Sequence, residues 1–338
     1  MRLNAPSFWY PAQGKECRAS EILLTPLAIL YQLAHRINYA LQKPYRTPMP
    51  VICIGNINIG GSGKTPVAIS IMEILQNNTS INAPYFLSRG YGGLINKPTV
   101  IDPDIHDYID VGDEAMLLHK TAPVITAKKR VLGAKHAEEK NAGCLLMDDG
   151  LQNNSLQKTI TFCVIDGKNG FGNGKTFPAG PLRETPAAGF NKSDAFIIVG
   201  KDVHNIGASL LSSNKPVFHA DLEVAALPEK DKSYVAFAGI AHPEKFKNTL
   251  EQHGLKISSW HPLPDHYDFS VKKLIQLAQA AKDNNSTLIT TEKDFVRLPE
   301  EFLAEHKVIT LPVKIKWHNQ KAITDFLDTH LTNHNKAA

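Results

Sequence analysis

Short apolar runs alternate with longer amphipathic stretches over most of the chain beyond residue 50. The first run, residues 51–55, has the continuous apolar character of a buried strand, and residues 66–75 have helical spacing. Further strand-like runs follow at 84–87, 124–126, 144–147, 160–165 and 195–199, with helical stretches at 112–120 and 128–140. This alternation predicts an α/β fold, in which helices cover both faces of a mostly parallel sheet.

A second alternating set begins after the charged run at residues 229–232. It contains strand-like runs at 234–238, 257–260 and 287–290, with helices expected from residues 243 and 270. We therefore predict two α/β domains of unequal size. The expected division is an N-terminal amphipathic helix (1–46), a large domain (47–216), a linker (217–233), a smaller domain (234–306), and a return strand with a C-terminal helix (307–338).

The first 46 residues have a different pattern. Six apolar residues recur at steps of four and three and so share one helical face: Leu23, Leu27, Leu30, Ala34, Ile37 and Leu41. The longest apolar stretch, 22–34, contains Pro26 and is shorter than the roughly 20 residues of a membrane span. Two interpretations stay open: the helix packs on the core, or it lies in a membrane interface.

Composition and charge exclude some classes of protein. The 338 residues are 43% hydrophobic and 21% charged, which supports sizeable cores and excludes a disordered chain. The formal net charge of +4 is too small to predict nucleic-acid binding. Residues 1–50 hold the whole excess, with Arg18, Arg36, Lys43 and Arg46 flanking the apolar face. The four cysteines are widely spaced and contain no C-x-x-C pair, which predicts a reducing compartment. Three of them lie in or beside apolar runs, where buried free thiols are expected.

The segment 55–66 has the form of a phosphate-binding loop, since it follows a buried strand and opens a helix. Glycines allow backbone N–H groups to curl around phosphates, Lys64 is expected to reach the β/γ-phosphates, and Thr65 offers its hydroxyl to Mg²⁺. The first glycine of the usual spacing is replaced by Asn58, which tolerates left-handed backbone angles. The predicted nucleotide site comprises Asn58, Ile59, Gly60, Gly61, Ser62, Gly63, Lys64 and Thr65.

A second Gly-Lys-Thr sequence lies at residues 174–176, inside a stretch (167–186) that is rich in glycine and proline. Pro178 and Pro181 follow at once, so no helix can continue from Thr176. We therefore predict a loop here, which faces the substrate or is mobile, rather than a second nucleotide site.

Carboxylates follow two of the predicted strands and helices. Asp148 and Asp149 end an apolar strand as in a Walker B segment, where acidic side chains can hold Mg²⁺ opposite Thr65. Paired aspartates at a strand end are also a common turn. Asp113 and Glu114 precede a helix, so Asp113 either caps that helix or accepts a proton from an acceptor hydroxyl.

The segment 261–268 concentrates His261, Asp265, His266 and Asp268. Its two prolines and the lack of a thiol argue against zinc, and a histidine paired with an aspartate as a proton relay is the better hypothesis. The segment 291–294 carries Lys and Asp at adjacent positions, which does not match the guanine-reading spacing of GTPases. Nothing in that segment favours GTP over ATP.

Eight segments, taken in order along the chain, match one family. They are 55–66, 88–93, 112–114, 148–152, 171–174 with 178–184, 236–240, 264–266 and 290–294. On these segments the chain resembles the tetraacyldisaccharide 4′-kinases, the lipid A 4′-kinases of Gram-negative bacteria, along nearly its whole length. That family's own phosphate-binding loop resembles the one found here.

The resemblance implies an ATP- and Mg²⁺-dependent kinase. It would phosphorylate the 4′-hydroxyl of a tetraacyl glucosamine disaccharide 1-phosphate and form lipid IVA. Carried over by position, Asp113 looks like the base acting with His266, and Arg183 like an arginine that serves the phosphates or the substrate. Further roles that the resemblance implies are Mg²⁺ binding for Glu114, Asp148 and Asp149, P-loop roles for Lys64 and Thr65, and proximity to the nucleotide or the sugar for Tyr91.

The resemblance also implies an architecture of two α/β/α domains joined by a two-stranded linker. We expect residues 217–224 to pair with 308–315 and to return the last helix to the first domain. The dyad would then bridge the domains, which predicts domain closure on substrate binding. A lipid acceptor favours the interface interpretation of the N-terminal helix, on the anionic cytoplasmic face of the inner membrane. Rival functions are another P-loop ATPase, ligase or small-molecule kinase, or a membrane-docked nucleotide switch.

Overall fold

The computed structural model describes residues 6–11, 18–77 and 81–337. Cys17 and the charged residues Arg2, Lys15 and Glu16, which belong to the cysteine and charge arguments, lie outside the described residues. The strands are β1 Val51–Gly55, β2 Pro84–Ser88, β3 Thr99–Val100, β4 Val124–Thr126, β5 Cys144–Asp148, β6 Ile160–Asp166, β7 Ala195–Val199, β8 Val217–Val224, β9 Ser233–Ala238, β10 Lys256–Pro262, β11 Thr287–Thr290, β12 Val308–Thr310 and β13 Val313–Trp317.

The α-helices are α1 Arg18–Leu41, α2 Lys64–Gln76, α3 Tyr108–Val111, α4 Asp113–His119, α5 Arg130–Glu139, α6 Pro186–Lys192, α7 Ile206–Leu210, α8 Pro243–Gln252, α9 Val271–Asp283, α10 Glu292–Phe295, α11 Glu300–Glu305 and α12 Gln320–Ala337. The longer α-helices lie where the amphipathic stretches predict them, whereas the short helices α3, α6, α7, α10 and α11 were not predicted.

Within the described ranges, nine strands form a large sheet in the order β13-β8-β7-β6-β1-β5-β2-β4-β3. Its strands are parallel except for the edge pairs β13–β8 and β3–β4, which confirms the predicted α/β class. Every residue of β1 and β5 is buried, because helices cover both faces of a parallel sheet. Ile54 pairs with Asp148, so the segments that follow β1 and β5 leave the same sheet edge side by side.

A smaller parallel sheet has the order β10-β9-β11-β12. One apolar cluster lies on each of its faces, with Phe237 and Leu277 in one and Phe246 and Leu250 in the other. The loops that follow β9, β10 and β11 come together at the carboxyl edge of this sheet, where open α/β sheets bind ligands.

The expected pairing of 217–224 with 308–315 is correct only in part. β8 pairs antiparallel with β13, and α12 returns to the large sheet, where Phe326 packs on Phe162. Residues 308–310, however, form β12 and pair with β11 in the small sheet. Pro312 has no N–H to continue the ladder, so the chain changes sheets there.

Helix α1 turns its apolar face away from the protein. The exposed apolar face comprises Ile22, Leu23, Leu27, Ile29, Leu30, Leu33, Ile37 and Leu41, whose exposed fractions run from 51% to 78%. The opposite face is attached to the large-sheet unit: Gln32 Nε2 donates to Thr176 Oγ1 (2.6 Å), and Tyr31 meets Phe177 edge-on. The interpretation in which the apolar face of α1 packs on the core is therefore wrong.

Two further sequence expectations are tested by burial and helix length. Cys53, Cys144 and Cys163 are buried free thiols, as predicted. No helix within the described part of the chain is both long and apolar enough to cross a membrane.

Candidate active site

The phosphate-binding loop joins β1 to α2 in the predicted way. Gly63 precedes the helix at φ +84°, a backbone angle that side chains disfavour, and α2 begins at Lys64. The Lys64 ammonium donates to Asn56 Oδ1 (3.2 Å), and it lies 3.7 Å from Asp149 Oδ1. Thr65 Oγ1 donates to Asp148 Oδ2 at 3.2 Å. Backbone amides, the lysine and the hydroxyl thus sit at one helix N-terminus, which favours bound phosphate.

The loop accommodates Asn58 by pairing and not through a left-handed backbone, which corrects our expectation for this residue. Asn58 forms an antiparallel bridge with Leu182, and its side-chain amide donates to Gly170 O (3.0 Å). The neighbouring Ile59 N donates to Pro181 O at 2.7 Å. The predicted loop 167–186 therefore lies against the phosphate-binding loop, and its Gly-Lys-Thr sequence opens no helix.

This pairing also positions Arg183, whose backbone N–H donates to Ile57 O at 2.7 Å. Its Nη1 lies 2.9 Å from both carboxylate oxygens of Asp149. Burial alone would raise the pKa of Asp149, but Lys64 and then Arg183 outweigh it and hold that pKa at about 2. Asp149 is therefore an ionised carboxylate between two cations.

Asp148 has the properties of a cation ligand. It is buried at the end of β5, and its Oδ1 has no hydrogen-bond partner among the described residues. Burial, followed by repulsion from Glu114, raises its pKa to about 7. A buried carboxylate oxygen without a donor fits a divalent cation, which would supply the missing positive charge. Thr65 adds a hydroxyl beside it, so the residues present fit Mg²⁺.

Behind this carboxylate lies Arg130, which our sequence analysis missed. It is 5% exposed, and its Nη2 donates to the backbone oxygen of Asp148 at 3.3 Å. Burial lowers the pKa of Arg130 to about 10, against the attraction of Asp149 and Asp148. A cation behind the paired aspartates offsets part of their mutual repulsion.

Asp113 and His266 meet, as the resemblance implies. His266 Nδ1 lies 2.7 Å from Asp113 Oδ2, and this contact joins the large-sheet unit to the loop after β10. Asp113 Oδ1 accepts the N–H of Glu114 (2.8 Å), so the carboxylate also supports the helix start, although Gly112 is the N-cap. Burial would raise the pKa of Asp113, but the His266 hydrogen bond and the Lys293 charge lower it overall.

Lys293 completes this group, and it too was missed as a site residue. Its Nζ lies 3.0 Å from Glu114 Oε1 and 3.2 Å from His266 Nε2. A lysine ammonium only donates, so Nε2 accepts and the imidazole proton sits on Nδ1, facing Asp113. The signal was available in the sequence, because Lys293 follows β11 at a strand end in the same way as the other site residues.

The predicted residues thus form two adjacent groups. Lys64, Thr65, Asp148, Asp149 and Arg183 surround the phosphate-binding loop. Asp113, Glu114 and His266 form the second group with Lys293, and Tyr91 joins it because its ring centroid lies 5.5 Å from that of His266. Tyr91 therefore lies beside the dyad. The repulsion between Glu114 and Asp148 links the two groups electrostatically.

Further polar contacts bridge the same two units. Arg297 Nε lies 3.5 Å from Asp113 Oδ2, and Tyr108 Oη donates to Asp268 Oδ1 at 3.0 Å. On the other side of the phosphate-binding loop, the Lys245 ammonium lies 2.7 Å from Asp166 Oδ2. The dyad is thus assembled in this conformation of the chain.

Comparison with known proteins gives one consistent result. The family model for tetraacyldisaccharide-1-P 4′-kinase (LpxK) matches residues 20–332. The tetraacyldisaccharide 4′-kinase of Paramagnetospirillum magneticum is 41% identical over 96% of this chain and 98% of its own length. That of Dinoroseobacter shibae is 38% identical over 98% of each. A crystal structure of the "apo" form of LpxK from Aquifex aeolicus in complex with ATP aligns with a TM-score of 0.74, at 23% identity, covering 92% of this chain and 99% of that one.

Proposed function

The chain belongs to the tetraacyldisaccharide-1-P 4′-kinase family, and from that premise we propose how its own residues carry out the reaction. It transfers the γ-phosphate of ATP to the 4′-hydroxyl of a tetraacyldisaccharide 1-phosphate, in the biosynthesis of lipid A. The observation that carries the assignment of roles is the meeting of two groups: a phosphate-binding loop with its lysine and paired aspartates, and a buried Asp113–His266 dyad beside it.

Phosphoryl transfer depends mainly on positioning and on charge neutralisation. Lys64 and Arg183 hold the phosphates, together with the backbone amides of residues 60–63, because the Ile59 N–H is already bonded to Pro181 O. Asp113 takes the proton of the acceptor hydroxyl while the acceptor oxygen bonds to the γ-phosphorus. The bond from that phosphorus to the β,γ-bridging oxygen breaks, and its electron pair leaves with ADP. His266 donates from Nδ1 and orients the Asp113 carboxylate, while Lys293 donates to Nε2 and so holds the ring in place.

Mg²⁺, when bound, neutralises charge on the β- and γ-phosphates. Thr65, Glu114, Asp148 and Asp149 would hold it or its water shell, with Asp148 best placed. Asp149 is already paired with Arg183, and Glu114 with Lys293. Tyr91, beside His266, would contact the sugar ring that carries the acceptor hydroxyl.

A three-way assay tests this function against its rivals. ATP consumption is measured with a tetraacyldisaccharide 1-phosphate in detergent micelles, with a soluble amino sugar, and with no acceptor. The proposed kinase should consume ATP only when the lipid acceptor is present. Turnover with the soluble sugar would favour a small-molecule kinase, and equal turnover without an acceptor would favour a P-loop ATPase.

Replacement of Asp148 by asparagine is expected to raise the Mg²⁺ concentration for half-maximal turnover by at least about tenfold. The amide has no negative charge, while the shape of the β5 end is kept. The measurement is a Mg²⁺ titration at saturating ATP. Asp194→Asn is the matched control, because the Asp194 carboxylate accepts the Thr161 N–H near the start of β6. An unchanged Mg²⁺ requirement would remove Asp148 from the metal site.

Replacement of Lys293 by methionine is expected to lower kcat about tenfold and to leave the KM for ATP unchanged. Without the ammonium, the His266 ring loses the donor that fixes its tautomer. The ¹⁵N chemical shifts of the His266 ring would report this change directly. If Lys293→Met keeps the wild-type ¹⁵N shifts of His266 and the wild-type kcat, Lys293 does not position the ring. Lys293→Arg should recover part of the lost rate.

We also propose that α1 docks the enzyme on the inner membrane from the cytoplasmic side, without spanning it. The exposed apolar face would enter the interface, and the exposed residues Arg36, Lys43 and Arg46 would meet anionic headgroups. The proposed domain division keeps the first three sequence segments, 1–46, 47–216 and 217–233. The small domain is extended to 234–310 because β12 pairs with β11, and residues 311–338 form the return strand and the C-terminal helix. The dyad already joins the two α/β units in this conformation, so their closure on the substrate would hold it in place rather than assemble it.

A further inference from the structure

Among the side chains that the structure describes, Arg297 is the largest that is fully buried. It follows α10 directly, at the carboxyl edge of the small sheet. An arginine keeps its charge inside a protein, so its burial is costly unless the charge is balanced and the donors are bonded. None of the roles proposed above uses this residue, and its contacts give a reason for its position.

The Arg297 guanidinium joins the loops that follow three strands of the small sheet. Its Nη2 donates to Gly239 O after β9 (3.0 Å), and its Nη1 donates to Tyr267 O after β10 (2.9 Å). Its Nε donates to Lys293 O after β11 (3.3 Å), and the carboxylate of Asp294 balances its charge. The guanidinium is planar and its donors point in fixed directions. One side chain therefore sets the relative positions of the three loops.

These contacts fix the backbone on both sides of His266. This residue has a φ of +53°, a left-handed angle that side chains disfavour and that persists only where surrounding contacts impose it. Its N–H donates to Gly239 O at 3.0 Å, and the same carbonyl accepts from Arg297. The residue that follows it is Tyr267, whose carbonyl Arg297 also holds. The direction of the imidazole thus depends on a backbone that Arg297 keeps in place.

The same guanidinium also reaches the large-sheet unit. Its Nε lies 3.5 Å from Asp113 Oδ2, the oxygen that faces His266 Nδ1 at 2.7 Å. Asp113 is 4% exposed, and opposite charges attract each other more strongly inside a protein than in water. Arg297 therefore acts on both members of the dyad, on the backbone of His266 and on the carboxylate of Asp113.

We propose that Arg297 is a positioning residue for phosphoryl transfer, which aligns the Asp113 carboxylate with the His266 ring where the two units meet. The inference rests on the proposed function, in which Asp113 takes the proton of the acceptor hydroxyl. Proton transfer needs a hydrogen-bond distance, and a displacement of about 1 Å can lower a rate by on the order of 10²-fold. The rate should therefore depend on the fork shape of the Arg297 side chain and not on its charge alone.

The first test replaces Arg297 by lysine, which keeps a positive charge beside Asp294 but cannot hold Gly239 O and Tyr267 O together. We expect kcat on the lipid acceptor to fall about tenfold, while the affinity for an ATP analogue stays within about twofold.

The matched control is Tyr234→Phe. It removes a hydrogen bond at the amino end of β9, from Tyr234 Oη to Glu229 O (2.7 Å), far along the strand from Gly239. This variant should weaken the same sheet and keep the wild-type kcat.

A double variant separates positioning from a general loss of structure. In Asp113→Asn the carboxylate that Arg297 aligns is absent, so the addition of Arg297→Lys should lower kcat by less than about twofold more. A purely structural role would lower kcat by the same factor in both backgrounds. Wild-type kcat in Arg297→Lys, or an equal loss in the two backgrounds, would overturn the proposal.

A spectroscopic measurement does not depend on the folding of Arg297→Lys. The ¹⁵N–¹H resonance of Arg297 Nε should shift in Asp113→Asn, and it should stay at its wild-type position in Asp110→Asn, where the changed carboxylate is three residues away. An unshifted resonance in Asp113→Asn would also overturn the proposal. Failure of the proposed function is a distinct result, because the wild type would then not phosphorylate the lipid.

Discussion

Replacement of Asp113 by asparagine is expected to lower kcat by about 10²–10⁴-fold, the usual contribution of a placed general base. The amide keeps the size of the carboxylate and can still meet His266, but it cannot accept the proton of the acceptor hydroxyl. The P-loop residues do not depend on Asp113, so the affinity for an ATP analogue should stay within about twofold. The measurements are kcat at saturating lipid acceptor and equilibrium binding of the analogue.

The matched control is Asp110→Asn, which changes a carboxylate three residues away, whose Oδ2 accepts the Asp107 N–H. It should retain wild-type kcat. His266→Ala should also lower kcat, and the double variant should lose little more than Asp113→Asn alone, because the two residues act as a unit. A near-normal kcat in Asp113→Asn would assign proton transfer to another group.

The residues that were predictable from the sequence are those at the ends of parallel strands. Gly63, Lys64 and Thr65 follow β1, and Asp148 ends β5, so pairing of those strands brings them together without further information. The Asp113–His266 contact is different. It joins residues 153 positions apart in two sheets, and a family resemblance, not spacing, predicted it.

The residues that were missed act through tertiary contacts. Arg130 is the first residue of α5, and it becomes relevant only because this helix begins behind Asp148. Arg297 is 2% exposed and bonds to Asp294 and to Gly239 O, a burial that no local pattern indicates for an arginine. The change of sheet at Pro312 was missed for the same reason. It depends on the pairing of β12 with β11 and of β13 with β8, which local sequence does not determine.

Helix α1 shows a related limit of sequence reasoning. The spacing of its apolar residues determines which of them share a face. The spacing does not show whether that face contacts the core or the solvent. The side of α1 that faces the protein makes polar and aromatic contacts: Gln32 bonds to Thr176, and Tyr31 packs against Phe177. Such residues do not add to the apolar periodicity from which a buried helix face is predicted. The apolar side is consequently left uncovered, and such a patch on a folded chain marks an interaction surface.

Removal of this patch should abolish membrane binding without unfolding the protein. In Leu23→Ser/Leu30→Ser/Ile37→Ser, three side chains with exposed fractions of 78%, 62% and 51% become polar. Burial of each wild-type side chain contributes about 1.5–3 kcal/mol, so the partition coefficient onto vesicles with anionic lipid should fall by about 10³-fold or more. The free energy of unfolding should change much less than the free energy of membrane binding, because each of these side chains is more than half exposed in the folded chain.

The matched control makes the same type of change elsewhere on the surface. Val203→Ser/Leu211→Ser/Val271→Ser removes three apolar side chains with exposed fractions of 54%, 71% and 73%, none of them on α1. Its vesicle binding should equal that of wild type in co-sedimentation, and thermal unfolding should be similar for all three proteins. Wild-type co-sedimentation of the α1 variant would assign membrane docking to another surface. The α1 variant alone should lose vesicle binding, and it should keep its turnover on micelle-dispersed acceptor. This result would separate docking from phosphoryl transfer, because the dyad and the phosphate-binding loop contact none of the three changed residues.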